Sequence, residues 1–148
     1  MTLSKPIPVE TGREVRDRCL CFHTQRAART LARRFDNAFL KFGITNQQFS
    51  LMTMVNTAGS PRLGEVADFL AMDRTTATAA LKALERRGFI TVRHDEDDRR
   101  SKRISLTVAG GKTLKAALPV WRSEHDKVEA EMCGADPNAL RSMLRAVA

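Results

Sequence analysis

A mainly helical fold with one small β-hairpin is predicted by three observations. Apolar residues recur three and four apart along most of the 148-residue chain. The period then drops to two in two short runs: Ile90 and Val92 alternate with Thr91 and Arg93, and Ile104 and Leu106 with Arg103 and Ser105. Helix-start and helix-stop residues stand where the runs begin and end, among them Thr45, Asp73, Asp136, Gly43, Gly88 and Gly134.

Taken in order, residues 1–12 carry Pro6 and Pro8 and are expected to be a loose arm. Val15, Cys19, Phe22, Leu31, Phe35, Ala38 and Phe42 mark one long helix ended by Gly43. Thr45 and Gln48 form a capping box opening a helix with Phe49, Met52 and Val55 on one face. Gly59, Ser60 and Pro61 break it. A short helix follows with Leu63, Val66, Ala67 and Leu70 inward, then a tight turn at Ala71-Met72. Asp73 is the N-cap of a helix from about Arg74 to Arg87. Two strands enclose a wholly polar tip, His94 to Ser101. Thr107 starts a long helix to about Cys133, which Pro119 is expected to kink or split. Asp136 and Pro137 start a last helix to Val147.

Composition narrows the function. Lys and Arg outnumber Asp and Glu by 25 to 17, for a net charge of +8, which favours a polyanionic partner. No run approaches the roughly 18 apolar residues of a membrane span, and Met1 to Thr11 hold no apolar stretch of a secretory signal. Three cysteines close no disulfide framework, so a cytoplasmic protein with reduced thiols is expected. Tyrosine is absent and tryptophan single, which supplies few platforms for stacking single-stranded bases. His23, His94 and His125 lack the spacing of a zinc site, and Gly110-Gly111-Lys112-Thr113 lacks the upstream glycine of a phosphate loop. No catalytic constellation, metal site or cofactor is expected, and the chain is not expected to be an enzyme.

The middle of the chain is therefore a helix-turn-helix followed by a hairpin. In the helix after Asp73, Ala77, Ala80, Leu81 and Leu84 share the inner face, while Thr75, Thr78, Ala79, Lys82 and Arg86 fall outside. Small hydroxyls and cations on an outward face suit the major groove of double-stranded DNA. Arg74, Thr75, Thr76, Thr78 and Lys82 are the expected contacts. At the hairpin tip, Asp98 is placed to brace Arg100, and a braced guanidinium suits the narrow, negative minor groove; Arg99 is expected on a phosphate.

Several runs resemble the MarR family of bacterial transcription regulators: Leu63-Gly64-Glu65-Val66-Ala67-Asp68-Phe69-Leu70, Asp73-Arg74-Thr75-Thr76, Leu81 through Ile90, and above all Asp97-Asp98-Arg99-Arg100 running on to Leu106-Thr107-Val108-Ala109-Gly110. The chain departs from many members at Glu96, where they carry proline, and from some at Ala79, where they place an arginine. The resemblance implies a winged helix-turn-helix DNA-binding region over 44–107, with 13–43 and 108–148 forming a helical dimerisation region.

It further implies a homodimer on a pseudo-palindromic operator, most simply a repressor. A small aromatic or phenolic ligand would release it from a cleft lined by Phe22, Arg26, Phe49 and Met52. Cys21 is placed similarly to the sensing cysteine of a peroxide-responsive branch of the family, and Cys133 to that branch's resolving thiol. A thiol-based peroxide sensor of the same fold is thus one alternative. A non-specific architectural DNA-binding protein is another.

Overall fold

The computed structural model describes residues 7–98 and 100–148. The elements are α1 (Val9–Arg18), α2 (Leu20–Phe39), a 3₁₀ turn (Leu40–Phe42), α3 (Asn46–Ala58), α4 (Leu63–Phe69), α5 (Arg74–Arg86), β1 (Ile90–His94), β2 (Lys102–Leu106), α6 (Val108–Ala130) and α7 (Pro137–Arg145). They fall into two compact units, one up to Arg34 and one from Phe35 to Ala148.

In the first unit, the expected loose arm is helical from Val9 onward. Pro8 stands at the N-cap, where a proline costs no helix bond, and its carbonyl accepts from the Thr11 N–H. The expected single helix is interrupted at Cys19, whose ψ of 105° is extended. Cys19 acts there as the N-cap of α2: its Sγ accepts from the Phe22 N–H at 3.4 Å and its carbonyl from the His23 N–H at 3.2 Å. Exposed i,i+4 pairs line these helices, Arg18 with Glu14 at 2.6 Å and Gln25 donating to the Cys21 sulfur at 3.0 Å.

The second unit holds the core. Phe35, Phe39, Ile44, Phe49, Leu51, Met52, Val55, Val66, Leu81, Leu84, Ile90, Ile104, Leu114 and Ala117 pack in one cluster. Both sides of the Thr45 capping box form, and the Asp73 carboxylate accepts from the Thr76 N–H at 2.9 Å. Ala71 makes the tight turn before α5 with φ +50°, a conformation that costs any residue carrying a Cβ. β1 and β2 pair antiparallel with Ile90 opposite Leu106 and Val92 opposite Ile104. Arg62 bridges to Arg103, so the chain before α4 lies along the outer edge of the hairpin.

α6 begins where Thr107 accepts from the Gly110 N–H and its own hydroxyl donates to the Gly88 carbonyl at 2.6 Å. It runs through Pro119 as one helix rather than splitting there. Leu114 and Ala117 before the proline, and Trp121 after it, pack on the same core and hold the helix together across the missing hydrogen bond. It ends at Ala130, short of the expected Cys133; Cys133 and Gly134 both have positive φ. α7 follows as expected from Asp136 and Pro137, but ends at Arg145 and buries none of its residues.

Candidate DNA interface

α5 is oriented by its inward face. Ala77, Leu81 and Leu84 are buried, which turns Thr75, Thr76, Ala79 and Lys82 to solvent and leaves Thr78 half-buried. Arg74, Thr75, Thr78, Ala79 and Lys82 line one shallow open depression along this face. Two of the threonine hydroxyls are engaged in the helix itself. Thr76 donates to Asp73 at 2.5 Å, and Thr78 donates to the Arg74 carbonyl at 2.6 Å. The Thr76 hydroxyl and backbone N–H hold the Asp73 carboxyl below the usual carboxylate range, so the cap is charged at neutral pH.

The hairpin tip is built differently from the sequence expectation. Asp98 accepts from the Arg100 backbone N–H at 3.0 Å, a short turn of the chain, rather than from the Arg100 guanidinium. Arg99 lies outside the described residues. The carboxylate that braces arginines is Asp95, only 4% exposed. Its Oδ2 accepts from Arg62 Nε at 2.9 Å and from Arg103 Nε at 3.0 Å, and its Oδ1 from the Asp97 N–H at 3.1 Å. The Asp97 N–H and then the two guanidiniums hold its carboxyl below the usual range, against the opposing effect of burial. Sequence reasoning missed Asp95. Its only local signal is the Asp95-x-Asp97 turn, because Arg62 is 33 residues away.

Between α4, the start of α5 and the hairpin lies an open groove of about 520 Å³ lined by Arg62, Glu65, Asp68, Arg74, Arg100 and Lys102 among others. Arg74 and Arg100 thus meet on one groove, although the sequence places them on separate elements.

Phe22 and Arg26 are exposed on α2, Met52 is fully closed in the core, and Phe49 is buried with an edge on an apolar groove of about 560 Å³. Ser50, Thr53, Met54, Phe69 and Trp121 also line that groove. Cys21 and Cys133 are exposed free thiols, and Cys19 is half-buried. Among the described residues no cluster of His, Cys, Asp and Glu is arranged to hold a metal ion, and no helix is long and apolar enough to cross a membrane.

A helix-turn-helix carrying a charged hairpin matches the MarR family model over residues 44–102. The transcriptional regulator HosA of Escherichia coli O111:H- is 30% identical over 104 residues, 69% of this chain and 76% of HosA. The chain belongs to the MarR family. Members are winged-helix transcriptional regulators rather than enzymes. Among solved structures, the Mycobacterium tuberculosis regulator MosR in complex with DNA has a TM-score of 0.78 at 34% identity, over 86% of this chain and 92% of MosR. The repressor CouR, bound to a 23-mer DNA duplex, has a TM-score of 0.79 at 26% identity, over 97% of this chain and 99% of CouR.

Proposed function

We propose that this MarR-family regulator binds a pseudo-palindromic operator in double-stranded DNA as a homodimer, acting as a repressor that a small aromatic or phenolic ligand releases. The observation that carries the DNA reading is the solvent-facing side of α5, with Arg74, Thr75 and Lys82 on it and Arg74 sharing a groove with Arg100. Arg74 and Lys82 supply phosphate contacts, Thr75 and Thr78 lie along the face that enters the major groove, and Arg100 reaches the minor groove. Thr76 has both its hydroxyl and its backbone N–H tied to Asp73, so it lies at this face without a spare donor. MosR and CouR, similar to this chain and both solved with DNA, support DNA as the partner.

The dimer is supported by α7, which leaves Leu140, Met143 and Leu144 exposed with Val147 exposed after it, and by Val15, Leu20, Phe22 and Leu31, exposed on α1 and α2. Apolar faces of that extent call for a partner surface. The groove beside Phe49 and Trp121 is the candidate ligand site. Its lining is apolar apart from the hydroxyls of Ser50, Thr53 and Thr57, with no charged side chain, which favours an aromatic ring bearing a hydroxyl.

Selection of bound sequences from a random duplex pool tests this function. The expected product is one two-fold symmetric motif bound by two chains. Recovery of unenriched sequence, bound no better than bulk DNA at fixed salt, would instead make the protein an architectural binder.

A further inference from the structure

The two arms of the Asp95 clamp are equally exposed, with 41% of the Arg62 side chain and 42% of the Arg103 side chain open to solvent. Their hydrogen bonding differs. Arg103 spends Nε on Asp95 and turns Nη1 inward to the Ser60 carbonyl at 3.2 Å. Arg62 spends only Nε on Asp95, and among the described residues no acceptor takes its Nη hydrogens. Arg62 lines the groove that also receives Arg74, Arg100 and Lys102, where cations outnumber the carboxylates Glu65 and Asp68. Glu65 is engaged locally, accepting from the Arg62 backbone N–H at 2.6 Å.

We propose that Arg62, held by the buried Asp95, is a further DNA-backbone contact of this protein: its outer guanidinium edge takes a phosphate of duplex DNA, and Arg103 does not. This rests on the DNA-binding function proposed above. A guanidinium anchored through Nε keeps two parallel N–H donors for a phosphate, and the anchor removes the side-chain freedom that the contact would otherwise have to freeze. Asp95 is thereby a positioning residue. It reaches the DNA only through Arg62, and being charged and enclosed it neutralises Arg103 more than it opposes the phosphates.

Salt dependence separates a phosphate contact from a structural clamp, because each neutralised phosphate contributes roughly one unit to the slope of log affinity against log salt. Duplexes selected from a random pool by the wild-type protein are titrated with wild type, Arg62→Ala, Arg62→Lys and Arg103→Ala, each checked for folding by thermal melting. The expected result is a loss of about tenfold in affinity for Arg62→Ala with a slope lower by roughly one. Arg62→Lys keeps the charge and so restores the slope. Arg103→Ala melts earlier with its slope unchanged. If Arg62→Ala does not fold, Arg62→Gln is read by the same criteria. A folded Arg62 variant with the wild-type slope overturns the proposal, and so does an equal drop for Arg103→Ala, which would mean that loss of the clamp merely displaces the hairpin. Wild-type protein with no salt-dependent duplex binding overturns the DNA function itself; wild-type binding with an unaltered Arg62→Ala slope overturns this inference alone.

Discussion

Asp95 and Asp98 stand three residues apart in one acidic run and do different work. Asp98 shapes the turn through the Arg100 N–H, whereas Asp95 joins the hairpin to the residue before α4. Asp98→Ala should therefore weaken DNA binding by about 0.5–1.5 kcal/mol, the net worth of one hydrogen bond, while Asp98→Asn, which keeps an acceptor, should bind nearly as wild type. Equal losses in the two variants, read from binding isotherms, would mean that the negative charge matters and not the turn. Arg100→Ala should cost about 1–3 kcal/mol of operator affinity, as loss of a groove arginine does.

Because Asp95 has its carboxyl held low in the folded state, the charged form favours folding. Its contribution is complete above the unfolded value near 3.9 and is lost as pH falls through that value toward the folded one. Thermal midpoints of wild type and Asp95→Asn should thus converge on acidification below about pH 4 and separate above it. A constant difference across the range would remove Asp95 ionisation from the account. The Asp98 expectation went astray because proximity in sequence is a poor guide in a hairpin tip. The pairing that matters joins residues brought together only once the Arg62 segment lies against β2.

At the scale of elements, most boundaries were legible because they rest on local chemistry: the Thr45–Gln48 box, the Asp73 cap and the Asp136-Pro137 start all form. The errors lie where local signals compete with packing. Pro8 marks a helix start and not a loose arm, and Pro119 is carried inside α6 because the core holds both sides of it.

The glycine of the Leu-Thr-x-x-Gly run has its reason here. A Cβ on Gly110 would lie 2.0 Å from the Phe89 carbonyl oxygen, backbone that cannot step aside. Gly110→Ala should destabilise the fold by about 3 kcal/mol or more in urea unfolding, the upper end of overpacking costs, since the first turn of α6 must move off Phe89, the residue before β1. A loss under about 1 kcal/mol would show that the contact yields cheaply. Leu81→Ala and Leu84→Ala, both on the buried side of α5, should each cost about 2–5 kcal/mol in the same measurement. Wild-type stability in either would rotate α5 away from the face assigned to DNA.

At the scale of the whole molecule, the second unit supplies a fold with the DNA face attached, while Val15, Leu20, Phe22 and Leu31 of α1 and α2 and Leu140, Met143 and Leu144 of α7 are exposed. The sequence marked those residues as apolar in helical spacing, but one chain read alone does not tell a core stripe from a stripe awaiting a second copy. Replacement of Leu140 and Leu144 by glutamate should convert a dimer into monomers in sedimentation equilibrium without unfolding the winged region, and should lower operator affinity by at least the cooperative gain of joined half-sites. A dimer unaffected by both charges would place the interface elsewhere.

That the outward face of α5 and the hairpin meet the DNA backbone is the proposal on which the others depend. Its most direct test is the salt dependence of affinity for a selected duplex, measured for wild type and for Lys82→Ala. Log affinity should fall linearly and steeply with log salt in wild type, and the variant should bind more weakly to every sequence with a slope lower by roughly one. Wild-type affinity that ignores salt, or a Lys82→Ala slope identical to wild type, would contradict it.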